Sequence, residues 1–323
     1  MSVKEICEMN IQFLNTMLDR CAFPEDAKSF FNDLAKNVID AGCEEEFDSF
    51  TDIYLDSDCD TEAVRVHMAP LAEKVGGSIH SYWLMLFLFA AERAKPMYEA
   101  RGVSDEVFFD TFSDLKAKGY ECLEVKGVWG TFVEGWYQHF FRCHIIKFGR
   151  LEYHNVVSEE DDTYIFDDVK ISKGDSILWL HIPSSGEPFD EEARLESYRM
   201  AYDFYSKERG ENKLVCGCLS WLLYPEYKDV FGEGSNTYDF TDEFDIVRSI
   251  DTDVFIDTWR VFGRHHGKPT SEYPEDTRMR RGFKNYILSG AKTGYSYGYL
   301  VFDGEKVLTR DRKGELVAPF ETK

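Results

Sequence analysis

The 323-residue sequence is poor in proline, in basic residues and in long apolar runs. It has 9 prolines and 23 glycines, and 43% of its residues are hydrophobic, which excludes fibrous repeats and predicts a folded chain. Its longest apolar run, residues 82–91, has about half the length that a helix needs to cross a bilayer. This run therefore predicts a buried core helix, and we expect no membrane partner.

The shortage of basic residues gives the chain a strongly negative charge. It has 37 Lys and Arg against 60 Asp and Glu, a formal net charge of −23. Such a charge repels the phosphate backbone of nucleic acids and the anionic surface of a membrane. We therefore expect no nucleic acid partner.

The eight cysteines form no CxxC pair, which argues against a disulfide framework and against a zinc site. Near the start, Lys4 is followed by acidic residues where a secretory signal has an uninterrupted apolar stretch. We therefore expect reduced cysteines, no export signal, a cytoplasmic location and no metal.

The first part of the chain has the pattern of a helical domain, to which we assign residues 1–125. Apolar residues recur there at intervals of three and four, which is typical of amphipathic helices. Pro24 begins a helix that ends at Gly42, Gly76 and Gly77 separate two more, and Ser104 caps another.

The second part, residues 126–323, is predicted to be a mixed α/β domain. In segment 127–146, apolar and aromatic residues would cover most of the circumference of a helix, which predicts a helix between the two halves. Runs of β-branched and aromatic residues then predict strands, separated by helices at about 190–207 and 226–231. The predicted strands are 151–157, 164–171, 176–182, 213–223, 241–249 and a pair joined by a type I′ turn at Asp303 and Gly304.

Four segments of the second part carry a family resemblance: HIPSSG (181–186), CLSWLLYPEY (218–227), GSNTYDF (234–240) and YPEDTRMRRGF (273–283). In this order the sequence resembles a bacterial family of acyltransferase-like proteins. Members pair a helical N-terminal acyltransferase domain with a GNAT-like C-terminal domain, and the resemblance covers nearly the whole chain. The implied fold class is α+β, with the helical domain packed on a GNAT-like mixed α/β sheet.

The resemblance implies an N-acyltransferase that uses acyl-CoA or acetyl-CoA as cosubstrate and a small-molecule acceptor. In GNAT proteins, the turn after a central strand and the N-terminus of the next helix hold the coenzyme A pyrophosphate. The equivalent cofactor-binding residues here are Ser184, Ser185 and Gly186, before a helix that begins near Asp190.

A different prediction comes from the charges at this helix start. Glu187, Asp190, Glu191 and Glu192 surround it, and carboxylates there repel a pyrophosphate. The alternative to the enzyme is therefore a catalytically silent GNAT-like module that binds a ligand or takes part in an assembly.

One segment, 259–292, reverses the charge of the protein, with eight Lys and Arg against three acidic residues. Its Arg280 and Arg281 are candidates for phosphate contacts, since arginine pairs with phosphate in a bidentate manner. The alternative is that these cations pair with acidic surface residues.

Acyl transfer to an amine needs a base for the amine proton and an acid for the leaving thiolate. His181, at the end of an apolar strand, is the candidate base, although packing against the following turn also explains it. The resemblance places a candidate acid at Tyr224, with Tyr227 as the other choice. Trp221 and Asn236 are candidate substrate-binding residues, to be weighed against core-filling and capping roles.

Two further arrangements are less favoured by the sequence. Cys216 and Cys218 share one face of a predicted strand and could act as nucleophiles if His181 lies on an adjacent strand. His139 and Cys143 share a predicted helix face, but no second cluster completes a four-ligand metal site.

Overall fold

The structure is a computed structural model that describes residues 10–56 and 59–318. The described residues divide into two compact units, those up to 147 with 183–186, and 148–182 with those from 187 onward. The first unit is helical and the second is built on a mixed sheet, so the α+β fold class is confirmed. This division lies later in the chain than the predicted domain boundary at 125/126. Within the described residues, no helix is both long and apolar enough to span a membrane.

The first unit is formed by helices that follow the periodicity of the sequence. Its described helices are α1 (Ile11–Arg20), α2 (Glu25–Asp40), α3 (Glu44–Leu55), α4 (Thr61–Val75), α5 (Ile79–Ala100), α6 (Asp105–Phe112), α7 (Asp114–Lys126) and α8 (Gln138–Phe141). The predicted boundaries are confirmed: α2 begins after Pro24, α4 ends before Gly76, and the Ser104 side chain caps α6.

Helix α5 is the core of the first unit, as the apolar run predicts. All side chains from Ser81 to Ala91 are buried. Phe87 of this helix packs against Tyr54 and Tyr137, with ring centroids 4.9 and 4.8 Å away.

The helix predicted at 127–146 is wrong. Gly127 ends α7 in the left-handed conformation. The chain that follows is not helical and packs against the start of α5, where the Thr131 amide donates a hydrogen bond to the His80 carbonyl. A Cβ at Gly130 would lie 2.5 Å from that carbonyl group, so the close approach requires glycine. Only a 3₁₀ turn and α8 follow before β1 (Ile145–Phe148).

The second unit contains the strands β2 (Leu151–Val157), β3 (Thr163–Phe166), β4 (Val169–Ile171), β5 (Ser176–His181), β6 (Leu214–Ser220), β7 (Asp245–Thr252), β8 (Thr293–Phe302) and β9 (Glu315–Val317). Its described helices are α9 (Glu191–Arg209), α10 (Lys228–Phe231), α11 (Asn236–Asp242), α12 (Thr258–Phe262) and α13 (Arg278–Leu288). This unit contains two sheets. In the larger sheet, the strands that lie entirely in this unit are adjacent in the order β2-β5-β6-β8-β7, and the smaller sheet has the order β4-β3-β9.

Three strand predictions of the second unit need correction. The predicted strand 164–171 is a hairpin, because Asp167 has a positive φ of 52° that separates β3 from β4. The start of the predicted strand 241–249 belongs to α11, which Ser235 caps by accepting from the Tyr238 amide. The turn after β8 is not type I′, since a type I′ turn needs a positive φ at both central residues and only Gly304, not Asp303, has one. The predicted partner strand is reduced to an isolated β-bridge between Phe302 and Val307.

Candidate functional site

The two parallel strands at the centre of the sheet separate before they end. In the described chain, β5 and β6 pair only at Leu178–Cys216 and Trp179–Gly217. Strand β5 nevertheless continues to His181 and β6 to Ser220. Beyond these two pairs the described strand ends are not paired with each other; we call this unpaired stretch the β5–β6 gap, and His181 is the last residue of β5 beside it.

The two faces of β5 have different surroundings. The Tyr153 hydroxyl lies 2.9 Å from the Ser197 hydroxyl, so the face that contains Tyr153 is covered by α9. Tyr153 pairs with Leu180, and alternation along the strand then places His181 and Trp179 on the opposite face. We call this opposite face the histidine face.

Two further ionisable residues lie beside His181 on the histidine face. Glu152 of β2 is its register partner, and His154 lies two residues further along β2. The His181 Nε2 is 3.4 Å from the His154 Nδ1, and both Glu152 and His154 are buried. A base that a second polar side chain orients is the usual arrangement of a proton-transfer site.

Sequence reasoning missed Glu152 and His154. A signal was present, because the two polar residues alternate with apolar ones in LEYHNVV and so share a strand face. Their position beside His181 depends on the antiparallel register of β2 and β5, which one sequence does not give.

The turn predicted at Ser184, Ser185 and Gly186 is not formed: residues 182–189 connect β5 to α9 as an irregular segment without a turn or a bend. Gly186 has φ +75° and is exposed, as is Ser184, while Ser185 is half-buried. At the start of α9, the Asp190 side chain accepts from the Ala193 amide at 3.0 Å. That amide is therefore already satisfied by a carboxylate, as the acidic sequence predicts.

Tyr224 and Tyr227 lie in an aromatic cluster with Phe231, Phe255 and Phe283. The Tyr224 hydroxyl donates to Asp251 of β7 at 2.8 Å, and the Tyr227 hydroxyl accepts from the Gly294 amide. Burial and the bond to Asp251 raise the pKa of Tyr224. Because two strands lie between β5 and β7, this hydroxyl is roughly 14 Å from β5. The geometry does not bring Tyr224 and His181 together.

The two predicted substrate-binding residues also have other surroundings. Trp221 packs in the same aromatic cluster, 5.4 Å from the rings of Phe255 and Phe283, which favours the core-filling alternative. Asn236 is exposed at the start of α11, and its carbonyl accepts from Arg194 at 3.3 Å.

The cations of segment 259–292 pair mainly with neighbouring acidic residues. Arg280 binds Asp276 at 3.0 Å and donates to the Val261 carbonyl, and Arg281 donates to the Glu275 carbonyl. Lys284 binds Glu275 at 2.6 Å. These contacts favour the surface-pairing alternative over a phosphate site.

The nucleophilic cysteine arrangement is contradicted by strand geometry. Cys216 pairs with Leu178 and therefore shares the face covered by α9, opposite to His181. Burial raises the pKa of Cys218 to about 12, and it raises the pKa of Cys216 as well. Both residues are therefore neutral thiols near pH 7. The helix face predicted for His139 and Cys143 is also absent, since α8 ends at Phe141 and Cys143 has φ +54°.

We expect both strand cysteines to resist alkylation in the folded protein. With their pKa values raised by burial, the reactive thiolate is scarce at pH 8. Iodoacetamide at pH 8 should leave Cys216 and Cys218 unmodified until the chain is unfolded, as judged by peptide mass spectrometry. Half-buried Cys59 serves as the internal comparison. Modification of Cys218 as fast as Cys59 would contradict the buried neutral state.

Two family models match the chain in succession. The N-acyltransferase N-terminal domain matches residues 12–143, and the GNAT-like C-terminal domain matches residues 145–300. A search among curated proteins gave no match.

Solved structures of acyltransferases share the fold. An acyltransferase in complex with decanoyl-CoA and teicoplanin has a TM-score of 0.65 at 19% identity, over 88% of this chain and 86% of that one. A mutant acyltransferase in complex with octanoyl-CoA has a TM-score of 0.64 at 18% identity, over 89% and 87%. A third, with CoA and 10C-teicoplanin, has 0.61 at 17% identity, over 88% and 98%. Together with the two domain matches, this shared fold shows that the chain belongs to an acyltransferase-like family that joins a helical N-terminal domain to a GNAT-like C-terminal domain.

Proposed function

We propose that the protein is an acyl-CoA-dependent N-acyltransferase of the GNAT type. The observation that carries the proposal is the gap between β5 and β6, with His181 at its edge. A gap between two parallel strands that are not hydrogen-bonded to each other suits an extended chain such as the thioester arm of an acyl-CoA. The structural neighbours that were solved with decanoyl-CoA and octanoyl-CoA support this cosubstrate.

His181 is proposed as the base of the transfer. When bound, acyl-CoA supplies an activated thioester carbonyl. The acceptor nitrogen bonds to the acyl carbon, the carbon–sulfur bond breaks so that CoA leaves as its thiolate, and His181 takes the proton that leaves the nitrogen. That proton then passes to the thiolate, which gives CoA as the free thiol and restores neutral His181. His154 positions His181 through the contact between their ring nitrogens, and Glu152 is the register partner of His181 on the same face of the sheet.

The proposed contacts to coenzyme A come from the irregular segment before α9. Ser184, Ser185 and Gly186 supply small side chains and backbone amides for the pyrophosphate. Tyr224 is not kept as the acid, because its hydroxyl is held by Asp251. Arg280 and Arg281 are not kept as phosphate ligands, since both guanidinium groups have protein acceptors.

Thermal unfolding with decanoyl-CoA tests the proposal. Ligand at 100 times its dissociation constant should stabilise the protein by about 2.7 kcal/mol, while decanoate alone should not. We expect Asp190→Ser, which keeps a capping hydroxyl but removes a carboxylate, to tighten binding by about 2- to 5-fold. Lys306→Ser, an exposed change after β8, is the control and should leave binding unaltered.

The silent ligand-binding or assembly module is the second candidate function. The observation that favours it is the Asp190 carboxylate on the Ala193 amide, at the place where a pyrophosphate would bind. Absence of any shift with millimolar decanoyl-CoA, octanoyl-CoA and acetyl-CoA would contradict the enzyme proposal and favour the silent module.

A further inference from the structure

A cavity of about 180 Å³ lies in the second unit, where the two sheets meet. The residues that line it are Val247 and Arg248 of β7, Tyr297 and Tyr299 of β8, Leu316 of β9, and Glu160 and Asp162 of the segment before β3. Neither the family matches nor the proposed chemistry gives this cavity a role.

A β-bulge directs Arg248 toward the cavity. The register of β7 against β8 shifts between Ile246 and Arg248. Neighbouring residues of a regular strand point to opposite faces, yet Val247 and Arg248 both line the cavity. Bulges re-aim side chains in this way, and they are frequent beside functional sites.

The cavity lies on the histidine face of the large sheet. Trp179 pairs with Gly217, and Gly217 pairs with Tyr299, so Tyr297 and Tyr299 share the face of Trp179 and His181. The ring centroids of Trp179 and Tyr297 are 6.0 Å apart, in agreement with this assignment.

The register also gives the distance between His181 and the cavity. Arg248 pairs with Tyr297, and Tyr297 pairs with Leu219. Continuing the β5–β6 register by two residues puts Leu219 level with His181 across the gap. The usual spacing of paired strands is roughly 5 Å, and it holds from Leu219 to Tyr297 and from Tyr297 to Arg248. Because β5 and β6 are not paired at His181, His181 is at least roughly 10 Å from Tyr297 and at least roughly 14 Å from Arg248 along the sheet.

Two hydrogen-bond donors lie at the end of the cavity near Arg248. Burial raises the pKa of Tyr297 and Tyr299, and the Tyr297 hydroxyl already donates to the Tyr299 hydroxyl, so the donors that remain are the Tyr299 hydroxyl and the nearby guanidinium of Arg248. Glu160 forms an ion pair with Arg248. A carboxylate of the protein thus already occupies the place where this donor group would bind a carboxylate of a ligand.

We propose that this cavity binds a carboxylate at the far end of the acyl acceptor. The acceptor is then a small amine whose carboxylate lies roughly 10 Å or more from its amino group, the span of about three residues of extended peptide at 3.3–3.6 Å per residue. The ligand exchanges with Glu160, so Arg248 stays paired. Trp179, which is half-buried, and Leu219, which is exposed, lie between His181 and the cavity on the histidine face. Their apolar side chains suit an uncharged middle part of the acceptor. This inference rests on the proposed transfer to an amine at His181.

Triglycine and its C-terminal amide are the matched probes, with decanoyl-CoA as donor. Each is followed by CoA release and by calorimetric titration onto the enzyme. We expect wild type to favour triglycine by about 10-fold in KM, the effect of one charged hydrogen-bonded contact. Arg248→Gln should remove this preference and the calorimetric binding of triglycine. Glu160→Gln should lower the KM for triglycine, because it removes the competing carboxylate.

Arg312→Gln is the matched control. Arg312 is as exposed as Arg248 and also pairs with a carboxylate, that of Asp167, so its replacement should keep the preference for triglycine. Equal use of triglycine and its amide, or an unchanged preference in Arg248→Gln, would overturn this inference while leaving the acyltransferase proposal standing. Failure to bind decanoyl-CoA at all would overturn both.

Discussion

Replacement of His181 by alanine is expected to lower the turnover number for acyl transfer by roughly 10²- to 10⁴-fold, the usual contribution of a positioned base. The reason is that the acceptor nitrogen would lose its proton acceptor at the edge of the β5–β6 gap. The side chain is half-buried at a strand end, so folding should be little affected. The measurement is CoA release from decanoyl-CoA under saturating acceptor, with thermal unfolding of the same sample.

Two other histidines make this experiment specific. His67 is exposed on α4, and His67→Ala should leave the turnover number unchanged. His154 is a positioning residue, so His154→Ala should lower the turnover number less than His181→Ala does. The His154→Ala change should have little effect after His181 has been removed, because it acts only through that ring. Full turnover in His181→Ala would remove this residue from the mechanism.

The sequence predicts those parts of the fold that local patterns determine. Helix boundaries at Pro24, Gly76 and Ser104 follow from capping chemistry, and the central strand at 176–181 follows from its apolar run. The segment 127–146 could not be predicted in the same way. It is apolar because it packs against α5, and the contact of Gly130 with His80 is a tertiary feature.

The candidate site could be predicted only in part for a similar reason. His181 was identifiable because it ends an apolar strand. Its neighbours Glu152 and His154 are brought there by strand register, and the Tyr224 hydroxyl is taken by Asp251 of a distant strand. The pairing of Arg280 with Asp276 is local in sequence and could have been weighed more heavily, since the spacing is i, i+4.

A buried cluster of charged residues positions α9, the helix that follows the proposed cofactor-binding residues Ser184, Ser185 and Gly186. Glu243 and Arg194 are both fully buried, and the Arg194 guanidinium binds the Glu243 carboxylate at 2.9 Å. The Tyr198 hydroxyl and Arg310 bind the same carboxylate at 2.7 and 3.0 Å. Arg194 also donates to the Phe189 carbonyl, directly before the Asp190 cap. The cluster therefore connects α9 to the segments around Glu243 and Arg310.

We expect Glu243→Gln to destabilise the second unit by about 3–5 kcal/mol, because it leaves Arg194 charged and buried without its counter-ion. That is a large fraction of the roughly 5–15 kcal/mol that stabilises a typical protein. Urea unfolding, followed by fluorescence and by hydrogen exchange of the α9 amides, measures the loss.

The comparison with Glu191 separates burial from charge. Glu191 also binds Arg310, at 2.6 Å, but its side chain is 54% exposed, so Glu191→Gln should cost less than about 1 kcal/mol. The double change Glu243→Leu with Arg194→Met replaces both charges by apolar groups and should be less destabilising than the single change at Glu243. A cost for Glu243→Gln no larger than that for Glu191→Gln would show that the buried cluster does not hold α9 in place.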